Sequence, residues 1–294
     1  MKQTIRPLLL LSCALAALLG CSRPASDDRY SVWVSIPPQA FLVDAIAGDL
    51  VSVDVLLRPG QSPETYSPSA AKLAEVSRSD VYFGIGMPIE LPIRSAIGSG
   101  MQGLQFVQTG DVIAAGHTHV HGEHCDHGTD GAQDPHIWVD PLRMIEVAKI
   151  IEDRLVAALP ESADELRANG VVMRESLLAL DAELKALLAA HQGQGFFINH
   201  PSLGHFAERY GLVQYSIEVA GASPSARRIA DLLAMARAFQ VGAVLTQPEF
   251  GRSSAEVLAR ELGVEVVRVD PLALDYIQNM RQIGNLIAES LNHE

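Results

Sequence analysis

Two histidines and two carboxylates stand where predicted β-strands end, far apart along the chain. Glu64 follows the second predicted strand, His136 the fourth, His200 the fifth and Asp270 the eighth. In open parallel sheets, groups at the carboxyl ends of strands meet at one edge, where ligands bind. Imidazole with carboxylate is a zinc-binding combination, and a second carboxylate makes manganese or iron an alternative. The four residues therefore predict one divalent metal site with two ligands from each half of the chain.

Each of the four residues also has a purely structural explanation. His200 precedes a proline and could cap a helix, while Asp270 before a proline suits a turn. Glu64 could be solvated, and His136 beside a tryptophan could be packed in the core. Taken singly, each residue is explained better by its structural role than by metal binding. Because all four residues share one sheet edge, the metal site is favoured for the set as a whole.

A second metal-binding composition lies between residues 117 and 127, in the sequence HTHVHGEHCDH. It contains five of the ten histidines of the chain, namely His117, His119, His121, His124 and His127. Such density beside Gly and Asp is typical of metal-binding tracts, but the spacing of a closed structural zinc site is absent. We expect a low-affinity metal-collecting loop over about residues 115–130, with Cys125 an accessory or exposed thiol. An incidentally histidine-rich insertion is the alternative.

The composition excludes several classes of protein. The chain has 294 residues, 22 Lys plus Arg against 35 Asp plus Glu, and a net charge of −13. This balance argues against nucleic acid as a partner, because phosphate binding needs clustered positive charge, and it is compatible with cationic ligands. An apolar fraction of 48% predicts a sizeable core in one large or two medium domains. Three cysteines exclude a disulfide-stapled scaffold.

The first twenty residues are typical of an export signal. A basic start precedes an apolar stretch from Leu8 to Leu19, too short for a spanning helix, which ends in the sequence LLGC. We predict that residues 1–20 are a lipoprotein signal peptide, that Cys21 is lipidated, and that residues 21–29 form a tether. An ordinary secretory signal is the alternative. Either kind of signal would export the rest of the chain as a soluble domain to the periplasm or another extracytoplasmic space. The exported protein would be attached to the membrane by at most a lipid.

Short β-branched runs alternate with helical patterns, which is typical of βα units. We predict an α/β fold of two (β/α)4 lobes, each with a four-stranded parallel sheet, covering residues 30–160 and 192–294. The predicted strands are 31–36, 51–57, 81–85, 104–108, 196–199, 213–219, 241–246 and 264–269. Residues 161–191 between the lobes are predicted as one long rigid helix, since six apolar residues from Leu166 onward are spaced 7, 4, 3, 4 and 3. Gly170 would be a weak point in this helix.

Several runs of sequence resemble the solute-binding proteins of bacterial zinc and manganese ABC importers. Together with the His-rich segment, they are Pro59–Pro68, Asp134–Trp138, Phe196–Leu212, Thr246–Phe250 and Val269–Pro271. The resemblance implies two lobes joined by a rigid helix, one divalent metal in the cleft, and delivery of that metal to a membrane permease. It puts His136, His200 and Asp270 on ligand positions. His200 points to zinc, because zinc members tend to have His there and manganese members Glu.

One position departs from the family pattern. The family usually has His in the segment Pro-Gly-x-x-Pro-His-x-Tyr, where this chain has Glu64. Glu is a competent oxygen ligand, so we retain Glu64 as the fourth; the alternative is a three-residue site completed by water or by a loop histidine. Glu249 is a candidate to orient a ligand imidazole, or else a surface carboxylate. His205 is predicted to lie at the surface.

These features favour a monomeric binding protein that captures Zn²⁺ and hands it to the permease of an ABC importer. Within the same function, Mn²⁺ or Fe²⁺ is the alternative cargo. A zinc-dependent hydrolase, with Glu64 or Glu249 as base, would need a catalytic constellation, but the chain has no H-E-x-x-H, G-x-S-x-G or P-loop sequence. An adhesive or scaffolding lipoprotein is a third possibility, but no residue in the sequence marks an adhesive surface. We therefore predict that the protein is not an enzyme.

Overall fold

The computed structural model describes residues 29–99, 103–110, 134–218, 224–239 and 241–292. The predicted signal peptide, Cys21 and nearly all of the tether lie outside the described residues. So does the His-rich segment from His117 to His127. The predictions made for these segments therefore stay predictions.

The N-terminal lobe is built on a four-stranded parallel sheet. Its strands are β1 (Tyr30–Val34), β2 (Val51–Val55), β3 (Val81–Gly84) and β4 (Gln105–Gln108). They lie in the order β2-β1-β3-β4, and all pairs are parallel. The helices are α1 (Pro37–Ala47), α2 (Ala70–Val76) and α3 (Leu91–Gly98). Pro37 and Pro38 begin α1, where their missing N–H groups cost nothing, and the Ser69 hydroxyl caps α2 by accepting from the Lys72 N–H.

The C-terminal lobe repeats this architecture with the strand order β6-β5-β7-β8, again all parallel. Its strands are β5 (Gly195–Ile198), β6 (Val213–Ser216), β7 (Val241–Thr246) and β8 (Val266–Arg268). Two helices join the lobes, α4 (Pro141–Ala158) and α5 (Ala163–Leu188), and four follow, α6 (Gly204–Tyr210), α7 (Ala226–Phe239), α8 (Ser253–Leu262) and α9 (Tyr276–Leu291). Gly211 and Gly263 end α6 and α8 at φ +72°, a conformation that favours glycine. The predicted fold class is confirmed.

The long helix α5 packs against both lobes. Its 26 residues span about 39 Å, and it contacts α1 and α4 on one side and α9 on the other. The apolar stripe is buried as predicted from Leu166 to Leu184, after which Leu188 takes the buried position and Leu187 is half-buried. Within the described residues, no helix combines the length and the apolar character needed to cross a bilayer.

The larger of two hydrophobic clusters in the described residues runs through both lobes. It includes Val34 and Phe83 of the first sheet, Leu177 of α5, and Phe196 and Ile198 of the second sheet. A smaller cluster lies beneath α7 and α8 in the C-terminal lobe. Because packed cores resist deformation, this continuity predicts small relative motion between the lobes.

Polar contacts also join the lobes, between the segment before α4 and the C-terminal lobe. The Trp138 indole donates to the Pro271 carbonyl at 3.1 Å, and Arg209 on α6 pairs with the Asp140 carboxylate at 2.5 Å. The His205 ring nitrogen Nε2 lies 2.9 Å from the Asp134 carbonyl. His205 is thus buried, 2% exposed, and its predicted surface position was wrong. It is covered by the other lobe, a neighbour that helical periodicity cannot reveal.

Gly170 is a packing position. A Cβ built there would overlap the carboxylate of Glu152 on α4, which pairs with Arg174. We expect Gly170→Ala to lower the free energy of unfolding by about 1–3 kcal/mol, because overpacking displaces this ion pair. Urea unfolding measures the change. Gly98→Ala is the matched control, since nothing lies within 4 Å of its Cβ position; equal stability of Gly170→Ala and wild type would contradict the packing role.

Candidate metal centre

Glu64 lies in the loop that follows β2 in the N-terminal lobe. A turn over residues 62–66 holds it, with the Tyr66 N–H donating to the Ser62 carbonyl at 2.9 Å and the Glu64 N–H to the Ser62 hydroxyl at 3.2 Å. The Ile89 N–H donates to the Pro63 carbonyl at 3.1 Å, which ties this loop to the connection after β3. The Glu64 side chain is 30% exposed and reaches the space between the lobes.

His136 stands between β4 and α4, directly before a buried 3₁₀ turn at Ile137–Val139. The Asp134 carboxylate accepts from the backbone N–H of His136 at 2.9 Å and lies 2.7 Å from its Nδ1. The Trp138 ring meets the imidazole edge-on, with centroids 5.2 Å apart. These contacts occupy Nδ1 and leave Nε2 directed at the cleft, with the side chain only 6% exposed.

His200 follows β5, and its backbone is clamped by one amide. The Gln247 side chain donates to the His200 carbonyl at 2.7 Å and accepts from the His200 N–H at 3.3 Å. The Glu218 carboxylate lies 2.6 Å from Nδ1, and Phe250 stacks on the imidazole with centroids 4.9 Å apart. As at His136, a carboxylate holds Nδ1 and leaves Nε2 for a ligand, the usual arrangement at metal-binding histidines.

The three side chains converge on one point. Glu64 Oε1 lies 2.7 Å from His200 Nε2 and 3.4 Å from His136 Nε2, and the two Nε2 atoms are 3.2 Å apart. A tetrahedral zinc ion with bonds of about 2.0–2.2 Å needs ligand atoms about 3.3–3.6 Å apart. Two of the three separations are close to this range, and a small outward shift of Glu64 would satisfy the third. Two imidazoles and one carboxylate from both lobes therefore form a potential metal site.

The side chains that line the site shift one another's proton affinities. Burial by itself raises the pKa of Glu64, but hydrogen bonds and charge from the two histidines outweigh it and lower the pKa to about 2. Burial lowers the pKa of His136, but Asp134 and Glu64 raise it to about 9. The pKa of His200 is also raised, since Glu218 and Glu64 outweigh its burial. In the absence of metal, the site therefore holds an ionised glutamate beside protonated imidazole.

Asp270 is outside this group of three. Its Oδ1 accepts from the Leu272 N–H at 3.0 Å, its backbone carbonyl accepts from Asn279 at 2.7 Å, and it lines a separate cleft beside Arg268. Asp270 therefore acts locally as a turn residue, and its role as a ligand stays a prediction.

Glu249 lines the same cavity as the three grouped residues. Burial raises the pKa of this glutamate, and so does the charge of Asp270. The hydrogen bonds to the ligand imidazoles come from Asp134 and Glu218. The orienting role considered for Glu249 therefore has no contact that supports it among the described hydrogen bonds.

Three residues that support the site were not predicted from the sequence: Asp134, Glu218 and Gln247. Asp134 has a weak sequence signal, because a carboxylate two residues before a histidine and a proline between them favour a local turn. Glu218 follows the end of β6 by two residues and so stands at the same sheet edge as the ligands. A search of every strand end for carboxylates, not only those near histidines, would have found it.

The fold and the site define a two-lobe α/β protein with a potential metal site between the lobes. The chain belongs to the family of ZnuA, the periplasmic zinc-uptake complex component A, which matches residues 32–290. This confirms the resemblance to zinc-importer solute-binding proteins, a family of metal-binding transport components and not of enzymes.

Individual relatives are likewise named as metal-binding proteins. The zinc-binding lipoprotein AdcA of Streptococcus pneumoniae serotype 4 is 28% identical over 274 residues, which cover 90% of this chain and 54% of AdcA. The chain thus spans about half the length of the AdcA relatives. A putative metal-binding protein of Chlamydia muridarum is 25% identical over 283 residues, 96% of this chain and 98% of that protein.

Solved structures share the fold. A crystal structure of ZnuA matches with a TM-score of 0.80 and 32% identity, covering 90% of this chain and 100% of that one. A zinc-bound ZnuA deletion mutant matches with a TM-score of 0.80 and 31% identity, covering 91% of this chain and 100% of the mutant. The periplasmic zinc-binding protein TroA from Treponema pallidum, 18% identical with a TM-score of 0.77, covers 90% of this chain and 100% of TroA and shares the architecture.

Proposed function

We propose that this protein captures one divalent transition-metal ion, zinc, between its lobes and passes it to the permease of an ABC importer. The observation that carries the proposal is the meeting of His136 Nε2, His200 Nε2 and Glu64 Oε1 within 3.4 Å of one another. Two neutral imidazoles favour zinc among the divalent metals. The AdcA relatives are zinc-binding, and the ZnuA family serves zinc uptake, which supports the same cargo.

The remaining parts of the proposal concern place and partners. We propose that the chain is exported, anchored to the membrane through Cys21, and works as a monomer, with the His-rich segment 117–127 collecting metal at low affinity. AdcA of S. pneumoniae is itself a lipoprotein, which supports the anchor. The acidic charge of the chain favours cation capture.

The size of the cavity suits a single ion. The space bordered by Glu64, His136 and His200 has a volume of about 20 Å³, room for one water-sized particle.

Metal content and competition test the proposal. The purified chain should retain about one zinc ion, resist exchange by an excess of Mn²⁺ or Fe²⁺, and lose zinc to a strong chelator. Elemental analysis before and after each treatment measures this. Retention of manganese or iron in place of zinc would assign the alternative cargo, and a chain that retains none of the three metals would reject the function.

The identity of residue 64 should tune the choice of metal. We expect Glu64→His to raise the ratio of zinc affinity to manganese affinity by about tenfold or more, because imidazole suits zinc and carboxylate suits manganese. Competition titrations with both metals measure the ratio. Glu161→His, at an exposed position after α4, is the matched control. An unchanged ratio in Glu64→His would mean that Glu64 is not a ligand.

A further inference from the structure

We propose that helix α6 of the C-terminal lobe positions the imidazole of His136, through Gly204, His205 and the carboxylate of Asp134. The proposal rests on the proposed function. It gives a positioning role to two residues outside the group of converging side chains. It also divides the site unevenly, because both imidazoles are then held by the C-terminal lobe, and Glu64 belongs to the N-terminal lobe.

Asp134 fixes the direction of the His136 imidazole. Its Oδ1 accepts from the His136 N–H at 2.9 Å and lies 2.7 Å from Nδ1 of the ring. The Asp134 side chain is 6% exposed, so little water competes for these bonds. A displaced carboxylate would turn the ring and move Nε2, the nitrogen that faces Glu64 and His200. Any group that holds Asp134 therefore also holds His136 in place.

Asp134 is held by α6 through both its main chain and its side chain. His205 Nε2 lies 2.9 Å from the Asp134 carbonyl, and because a carbonyl oxygen can only accept, this nitrogen is the donor. A Cβ at Gly204 would lie 2.5 Å from Asp134 Oδ2, so the second carboxylate oxygen approaches the helix where a side chain is missing. His205 is 2% exposed, which makes its contact with Asp134 a buried one. The C-terminal lobe thus places Asp134.

The residues that follow His136 are fastened to the same lobe. The buried Trp138 indole donates to the Pro271 carbonyl at 3.1 Å. The buried Asp140 carboxylate pairs with Arg209 of α6 at 2.5 Å. The segment before α4 is therefore attached to the C-terminal lobe, although it precedes the long helix α5 in the sequence.

Glu64 is attached differently. Its loop is tied within the N-terminal lobe, where the Ile89 N–H donates to the Pro63 carbonyl at 3.1 Å. Its side chain is 30% exposed, against 6% for His136 and 12% for His200. A change in the spacing of the lobes would therefore alter the distances from Glu64 to the two imidazoles. The 3.2 Å between the two Nε2 atoms would be kept.

Double-mutant cycles test whether α6 acts through His136. We expect Gly204→Ala, which displaces the Asp134 carboxylate, and His205→Leu, which removes the donor to its carbonyl, each to lower zinc affinity by about tenfold. In the His136→Ala background the same substitutions should change zinc affinity by less than about twofold. In the Glu64→Ala background the loss of about tenfold should remain, because Glu64 is held independently. Chelator competition with Zn²⁺ in the full chain measures these affinities.

Two further variants separate positioning from general damage to the helix. Tyr210→Phe is the matched control on α6, since it removes a hydroxyl that donates to Asp181 at 3.2 Å, and it should leave zinc affinity within about twofold of wild type. His205→Gln is the conservative variant, because the glutamine amide can donate to the Asp134 carbonyl from about the position of Nε2. It should restore most of the affinity that His205→Leu loses.

Losses of equal size in the wild-type and His136→Ala backgrounds would overturn the proposal, because the effect would not pass through His136. Wild-type affinity in both Gly204→Ala and His205→Leu would overturn it as well. Thermal unfolding identifies a misfolded variant, and the other one then decides. A wild-type chain that binds no zinc would reject the proposed function instead. Nitrogen NMR of the metal-free chain then tests the positioning: Gly204→Ala should move the imidazole signals of His136 and not those of His191, and unmoved His136 signals would overturn it.

Discussion

His200→Ala should lower the affinity for zinc by about a hundredfold or more. The substitution removes one of three converging donors, and it removes the imidazole that stacks on Phe250. It also leaves the Glu218 carboxylate, 11% exposed, without the partner that lies 2.6 Å away. A hundredfold loss corresponds to about 2.8 kcal/mol of binding free energy. Competition with a chromophoric chelator measures the affinity directly.

The matched control for His200→Ala is His191→Gln. His191 is a buried histidine at the start of the C-terminal lobe whose Nδ1 contacts Gln194 at 2.8 Å, outside the group of converging ligands. Its replacement should leave zinc affinity within about threefold of wild type. A loss of only a few-fold in His200→Ala, with thermal unfolding as in wild type, would remove His200 from the coordination sphere.

Zinc affinity should rise steeply with pH, by about a hundredfold between pH 6 and pH 8. The cause is the pKa of His136, which Asp134 and Glu64 raise to about 9 against the effect of burial. A protonated imidazole cannot bind zinc, so below this pKa each unit of pH changes the affinity about tenfold per displaced proton. Glu64, with a pKa lowered to about 2, stays ionised throughout and contributes nothing to the slope. The usual histidine pKa of about 6.5 would place this loss at lower pH.

Calorimetry in buffers of different ionisation enthalpy measures the protons released. We expect at least one proton per zinc ion at pH 7, and more if His200, whose pKa is also raised, is protonated as well. Asp134→Asn is the informative comparison, because loss of that carboxylate should move the steep region to lower pH. An affinity that is flat from pH 6 to 8 in wild type would contradict the proposed electrostatics.

Much of the architecture was predictable from periodicity. The helices Pro141–Ala158, Ala226–Phe239 and Tyr276–Leu291 each follow an apolar pattern of helical period. The strands are the predicted eight within the described residues, with β6 ending at Ser216 and β8 limited to Val266–Arg268. The observed strand ends differ from the predicted ones because hydrogen-bond pairing with a neighbouring strand decides where a strand ends. A β-branched composition does not specify that pairing.

The interpretation of His205 was wrong, and that of Gly170 was incomplete, for the same physical reason. His205 was expected at the surface, and Gly170 was expected to weaken its helix. Both face a neighbour from a distant part of the chain, the Asp134 segment for His205 and Glu152 for Gly170. Local propensity describes a helix in isolation and carries no information on what covers it.

The sequence by itself determined the fold class, the long helix between the lobes, and a short set of candidate ligands at strand ends. Hydrophobic periodicity sets which face of each element is buried, and parallel sheets bring their carboxyl ends to one edge. Only the tertiary structure decided which candidates meet: Glu64, His136 and His200 do, while Asp270 caps its own turn. It also revealed Glu218, because distances of a few ångströms between residues 18 or 64 positions apart depend on packing that no local pattern records.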